Sequence, residues 1–206
     1  MMNHRVYTVP DFFEGESDLI NQLFEEGLPC LHLRKVQRSI HPFIDLLIQI
    51  ERKHHAKIIV HQYPELVEMF ALSGLHLTES ARRVLSKKAL QDLIIKQHKN
   101  ERQIGTSIHQ KMDLDGLPKD LDYCTLSPVF SSISKQNYEP RVDWQVENLG
   151  LPFSLVALGG ISVPTLDACF QRGFREVAFL GAVWNDLSNV LHNYRLLCKK
   201  MNALMP

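Results

Sequence analysis

Four histidines and an arginine stand where short apolar runs of this chain come to an end. Pro29 to Lys35 closes on His32-Leu33-Arg34-Lys35, Lys57 to His61 runs into Gln62, Gly74 to Thr78 contains His76, and Gln103 to His109 contains Ser107 and His109. Imidazole changes charge near neutral pH, which suits it to general acid and base work. An arginine beside it calls for an anion, because an unpaired buried charge is costly. No single predicted element carries a His-His spacing suited to a metal, so no metal ligands are assigned. His32, Arg34 and His109 are therefore candidate catalytic groups, with His61 and Ser107 as candidate substrate contacts.

A second pattern serves anions without a charged side chain. Ser154-Leu155-Val156-Ala157-Leu158-Gly159-Gly160-Ile161 and Glu176-Val177-Ala178-Phe179-Leu180-Gly181 each read as a buried strand running into glycine. Ser162 or Thr165 can cap a helix after the first, and Pro164 suits its first turn. Glycine lets backbone amides approach a phosphate closely, and a following helix adds its positive end. Gly159, Gly160, Leu180 and Gly181 form the expected phosphate corner. Between the two patterns, Ser127 to Pro140 is long and polar, as a lid over a site would be, with Lys135 closing on an anionic substrate and Ser132 and Ser134 as donors.

Eight strand-like runs position these residues: Arg5 to Val9, Pro29 to Lys35, Lys57 to His61, Gly74 to Thr78, Gln103 to His109, Leu121 to Val129, Ser154 to Leu158 and Glu176 to Gly181. Helical stripes separate most of them: Leu19, Leu23 and Phe24; Phe43, Leu46, Leu47 and Ile50; Leu90, Leu93 and Ile94; Leu187, Leu191, Tyr194, Cys198 and Met201. Strand alternating with helix argues for parallel strands joined by right-handed crossovers, and eight such units close a single-domain α/β (β/α)₈ TIM barrel over residues 1–206. The fifth unit is the weakest, since Met112 to Asp120 holds Gly116 and Pro118. No glycine-rich dinucleotide fingerprint follows the first strand, which argues against an open doubly wound sheet. In a barrel, function collects at the carboxyl ends of the strands, and phosphate often sits after strands seven and eight. Because strand side chains alternate, His32 and Arg34 share one face; if Leu31 and Leu33 face the helices, that pair points into the barrel mouth.

Composition narrows the function classes. Of 206 residues, 45% are apolar, enough for one substantial core, and 23 basic residues balance 23 acidic ones, which gives no electrostatic case for nucleic acid or an anionic membrane. No apolar run spans a bilayer and no signal peptide is evident, so a cytoplasmic protein is expected. Cys30, Cys124, Cys169 and Cys198 lack the spacing of a zinc or redox motif and read as buried thiols. His54, His55, His98 and His192 fall on predicted helices and read as solvated.

Taken in order, Leu31-His32-Leu33-Arg34, Gly74-Leu75-His76-Leu77, Ile104 to His109, Asp122-Tyr123, Ser127-Pro128-Val129-Phe130 through Lys135, Ala157 to Ile161 and Val177-Ala178 through Ala182 resemble the superfamily of thiamine phosphate synthase and the thiazole tautomerase TenI. The resemblance implies a compact (β/α)₈ barrel, often oligomeric, so a homo-oligomer is compatible with it. It implies a thiazole phosphate on the amides around Gly159, Gly160, Leu180 and Gly181, a pyrophosphate gripped by Arg34 and Lys135, and a pyrimidine beside Ser107. In the synthase, Mg²⁺ holds the departing pyrophosphate; no other cofactor is implied.

The chain departs from the synthase pattern on one side of the site. His32 replaces a Gln, Val36 a Lys, His61-Gln62 an Asn-Asp pair, and Ser80 an Asp, with Glu79 next to it. Loss of both Asp side chains weakens a magnesium site. TenI-like proteins share a His-Ile-Arg on strand two, but their proton-transfer histidine in Gly-His-Val-Phe is here Pro128. The reading favoured on these grounds is a TenI-like protein of thiamine biosynthesis that moves a proton on a thiazole phosphate, with His32, His109 and His61 as candidate shuttles. The alternatives are a thiamine phosphate synthase joining hydroxymethylpyrimidine diphosphate to thiazole phosphate, and a non-catalytic binder of thiazole phosphate or thiamine phosphate.

Overall fold

The computed structural model describes residues 3–131, 144–147 and 149–204. Eight parallel strands close into a barrel in chain order: β1 (Asn3–Tyr7), β2 (Leu31–Leu33), β3 (Ile58–Val60), β4 (Gly74–Leu77), β5 (Gln103–Ile108), β6 (Tyr123–Leu126), β7 (Ser154–Ala157) and β8 (Glu176–Phe179), with β8 pairing back to β1. Around them run α1 (Glu16–Glu25), α2 (His41–Gln49), α3 (Glu65–Met69), α4 (Glu79–Arg83), α5 (Lys87–Lys99), α6 (Leu166–Gln171), α7 (Gly181–Trp184) and α8 (Val190–Leu204). This is the (β/α)₈ barrel that the strand and helix alternation predicts.

Side-chain alternation divides the core in two. Leu31 and Leu33 of β2, and Ile58 and Val60 of β3, face outward into the large apolar layer beneath the helices. Tyr7, Ile59, Tyr123, Val156 and Ala178 fill the inside of the barrel. Helices seal the outer layer through stripes at helical spacing, such as Ile20, Leu23 and Phe24 of α1. In α8 the buried stripe is Val190, Tyr194, Leu197 and Met201. It is rotated from the expected one: Leu187 lies before the helix, 44% exposed, and Leu191 and Cys198 are only partly covered.

The fifth unit is weak as expected, since β5 and β6 are joined by a single 3₁₀ turn at Lys111–Asp113. His54 and His55 depart from the expectation of solvated side chains. Both lie in a 3₁₀ turn, Arg52–Lys57, and both are buried. His54 stacks on Phe24 with centroids 4.7 Å apart and meets Glu25 at 3.1 Å, while His55 Nε2 donates to the carbonyls of Leu47 and Ile50 at the end of α2. Local periodicity does not show that helix ends converge on these rings. His98 is half-exposed and paired with Asp122, and His192 is exposed. All four cysteines are free; Cys124 and Cys169 are buried, with burial pushing both thiols up to about 12, while Cys30 and Cys198 are only partly covered.

Candidate active site

A cavity of about 460 Å³ opens at the carboxyl ends of the strands, lined among others by Arg34, His61, His76, Glu79, Arg83, Ser107 and His109. His76 and Ser107 stand one residue before the ends of β4 and β5, Arg34, His61 and His109 just past the ends of β2, β3 and β5, and Glu79 and Arg83 on α4, which follows β4. Arg34 is exposed on the cavity wall, its backbone tied to Thr8. His109 also stands at the rim. Its Nδ1 faces the carbonyl of Ser127 at 2.6 Å and so donates to it, which leaves Nε2, 4.0 Å from Glu79, for a partner in the cavity.

His32 does face the barrel axis, as alternation predicts, yet it is wholly buried and does not line the cavity. It lies beneath His61, with His32 Nδ1 and His61 Nε2 3.0 Å apart. Tyr7 stacks on His32 at 4.3 Å, and His76 lies against His61 with centroids 4.2 Å apart. Arg5 comes up from below, its guanidinium 3.8 Å from the centre of the Tyr123 ring, paired with Glu176 at 2.9 Å and 3.5 Å from His32 Nε2. Burial holds all three imidazoles neutral. Burial, followed by His61, Arg5 and His76, holds His32 well below the usual histidine range; burial, then His76 and Arg34, does the same for His61; and His76 is lowered to about 3 by burial, Arg5 and Arg34.

The glycine corner adjoins this cavity and does not line it; Leu158, just before Gly159, is the contact between the two. Gly159 and Gly160 both have positive φ, 92° and 65°. Thr165 Oγ1 donates to the carbonyl of Gly160 at 2.9 Å, and the Ser162–Thr165 capping box starts the 3₁₀ turn that leads into α6. Leu180 and Gly181 open α7, one turn long, whose first amides lack partners within the helix. β7 and β8 are paired, so the two turns are neighbours. Ser132, Ser134 and Lys135 lie outside the described residues.

The sequence reading missed Arg5, Tyr7 and Arg83. Arg5 and Tyr7 share the inward face of β1, a signal available from alternation alone. Arg83 sits one turn after Glu79 on α4 and bridges Glu79 at 2.6 Å and Asp113 at 2.9 Å; nothing local shows that α4 overhangs the cavity.

The described residues do not fit magnesium. Gln62, where the resemblance expects Asp, is turned onto the backbone of Lys35, its amide donating to the Lys35 carbonyl and its Oε1 accepting from Lys35 N at 3.4 Å. Ser80 shares a hydrogen bond with Thr78 at 3.1 Å. Glu79, the carboxylate in the cavity wall, is committed to Arg83. Magnesium demands hard oxygen ligands in near-octahedral array, usually including a carboxylate.

A closed (β/α)₈ barrel with a polar, histidine-floored cavity at its carboxyl mouth and glycine turns after β7 and β8 defines a class of barrel enzymes that handle small phosphorylated molecules. The family model described as thiamine monophosphate synthase matches residues 9–183, and the chain belongs to that family, whose members serve thiamine biosynthesis. It is 28% identical over 185 residues to the thiamine-phosphate synthase of Caldicellulosiruptor bescii, covering 82% of this chain and 78% of that one. It is 23% identical over 173 residues to that of Dictyoglomus turgidum, covering 79% and 73%. Among solved structures, thiamine phosphate pyrophosphorylase from Bacteroides thetaiotaomicron superposes over all of both chains with a TM-score of 0.76 and 28% identity. The same-named protein from Pyrococcus furiosus gives 0.77 at 15% identity, over all of this chain and 98% of that one, a likeness of fold alone. The comparisons thus favour the synthase reading over the TenI-like one preferred from sequence. Among the described residues, no helix is long and apolar enough to cross a membrane.

Proposed function

We propose that this protein carries out the synthase-type reaction, joining a hydroxymethylpyrimidine diphosphate to a thiazole phosphate with release of diphosphate. The observation that carries this reading is the division of the site into two anion-directed halves: a cavity walled by Arg34 and Arg83, and an adjoining corner of backbone amides at Gly159–Gly160 and Leu180–Gly181. Two phosphorylated precursors need two such halves; a protein acting on one needs only the corner. The names of its relatives point the same way.

In this reading Arg34 takes the diphosphate. Its guanidinium offers several donors in a planar fork that matches phosphate oxygens, and its charge is permanent. The bridge to Glu79 and Asp113 leaves Arg83 as a positioned, partly neutralised neighbour. The thiazole ring nitrogen bonds to the pyrimidine methylene as the carbon–oxygen bond to diphosphate breaks, which leaves a thiazolium and releases no proton, so His109 and Ser107 serve as hydrogen-bond partners that position the pyrimidine. His32, wholly buried, acts through His61 and His76 on the floor rather than on a substrate directly.

A second reading, proton transfer on a thiazole phosphate, is favoured by one observation: the cavity pairs a rim acceptor, His109 Nε2, with imidazoles that stay neutral. The test of both is an assay of purified protein with the two precursors together and with a carboxythiazole phosphate alone. Thiamine phosphate formed at enzymatic rates, and lost on Arg34→Met, supports the synthase reading. Tautomerisation without condensation overturns it in favour of the second.

A further inference from the structure

Three histidines from three successive strands meet at the cavity floor, and the reaction proposed above uses none of them directly. We propose that His32, His61 and His76 form a binding site for a divalent transition-metal ion of the zinc or cobalt class, with the remaining coordination position open to the cavity. This goes beyond the synthase reading and does not depend on it.

One nitrogen from each ring lies within 4.8 Å of those of the other two, and all three residues are buried. His32 Nδ1 and His61 Nε2 are already 3.0 Å apart; two imidazole nitrogens bound tetrahedrally to one zinc at ~2.0–2.1 Å stand about 3.3 Å apart. Ring centroids at 5.2 Å for His32 and His61, and 5.5 Å for His32 and His76, leave room for an ion between them, while His61 and His76, stacked at 4.2 Å, must tilt apart to turn both nitrogens onto it. His76 Nδ1 is held by the Tyr123 hydroxyl at 3.1 Å, which leaves Nε2 as the ligand and supplies the outer hydrogen bond that orients metal-binding imidazoles.

A histidine binds metal through a nitrogen that carries no proton, so each ring must hold its proton on the nitrogen turned away from the ion. The proton now shared between His32 and His61 need not be expelled, because each ring can carry its own proton on the far nitrogen. For His61 that is Nδ1, a buried atom that has no hydrogen-bond partner. For His32 it is Nε2, which in the metal-free protein accepts a long hydrogen bond from Arg5 Nη1 at 3.5 Å; metal binding gives up that contact, while Arg5 keeps its pair with Glu176 at 2.9 Å. The floor thus starts without net charge, and a dication there needs an anionic partner from the cavity, hydroxide or a phosphate oxygen. Imidazole donors select zinc, cobalt, nickel or copper over magnesium, in agreement with the poor fit of magnesium at the rim.

The test uses the full-length protein stripped with a chelator, then titrated with Zn²⁺ by calorimetry and with Co²⁺ by visible absorption. The expected result is one ion per chain, a cobalt spectrum of nitrogen-rich coordination, and at least a hundredfold loss of affinity in His61→Ala and in His76→Ala, with His109→Ala unchanged. X-ray absorption of the zinc-loaded wild type, which requires no variant to fold, should count three imidazoles. No stoichiometric binding, binding that survives both substitutions, or binding abolished instead by His54→Ala at the outer Glu25–Glu51–His54 group would overturn the proposal.

Discussion

Thr8 and Arg34 exchange two hydrogen bonds across the mouth of the barrel: Thr8 Oγ1 donates to the Arg34 carbonyl at 2.9 Å and accepts from the Arg34 amide at 3.0 Å. Thr8 is buried at the end of β1 and Arg34 follows β2, so one hydroxyl fixes the backbone from which the guanidinium reaches the cavity. Thr8→Val keeps the shape and leaves both backbone groups unpaired, a cost of about 1–3 kcal/mol. The expected outcome is a lower urea midpoint together with roughly tenfold weaker binding of inorganic pyrophosphate by calorimetry. Unchanged pyrophosphate binding in a destabilised variant would show that the lock serves the fold alone.

Stability of the metal-free protein should fall steeply with acid. The three floor histidines have folded pKa values below their unfolded value near 6.5, so the unfolded chain binds more protons as the pH drops. The sign follows: their contribution is complete above about pH 6.5 and is lost as the pH falls toward the folded values, about 3 for His76. Each histidine contributes about 1.4 kcal/mol per pH unit within its window. Urea unfolding between pH 7.5 and 4.5 should show this slope, and His76→Gln should flatten it by about one proton's worth.

Lys35 and Glu16 form an ion pair that is almost fully buried, joining the loop after β2 to the start of α1, and the ammonium also reaches the Asp11 carbonyl at 3.0 Å. Burial pushes the Glu16 carboxyl up and the Lys35 ammonium down in spite of the pairing, so desolvation dominates. Lys35→Met strands a buried carboxylate and should cost about 3–5 kcal/mol, whereas the double replacement Lys35→Met with Glu16→Leu should recover most of that loss. A double-mutant cycle by thermal unfolding decides it. Additive losses would mean that the charges do not act as a pair.

Gly160 belongs to the expected phosphate corner, and its turn requires a positive φ. Its φ is +65°, and an added Cβ would lie 2.4 Å from the Ser131 carbonyl oxygen and 2.7 Å from Phe130 Cβ. Gly160→Ala should therefore cost about 1–3 kcal/mol of stability as well as phosphate affinity. Differential scanning calorimetry with and without phosphate separates the two effects; a variant of full stability would refute the strain.

Much of this protein is local and therefore legible in its sequence. Strand runs of period two and helical stripes set the count of eight units, glycine at Gly159 and Gly160 marked a turn that only positive φ allows, and alternation placed His32 on the inward face because neighbouring side chains on a strand must take opposite sides. What alternation cannot supply is depth and company. His32 lies deep in the floor and His109 at the rim because His32 is the middle residue of β2 while His109 stands just past the end of β5, and where each strand stops is set by its pairing with its neighbours. The meeting of His32 with His61 and His76, the stack of Arg5 on Tyr123, and the bridge from Arg83 to Asp113 all join residues from different strands or loops. Such contacts depend on the pairing of whole strands in one register around the barrel, which no single segment encodes, so only the tertiary structure decided which polar groups share the site.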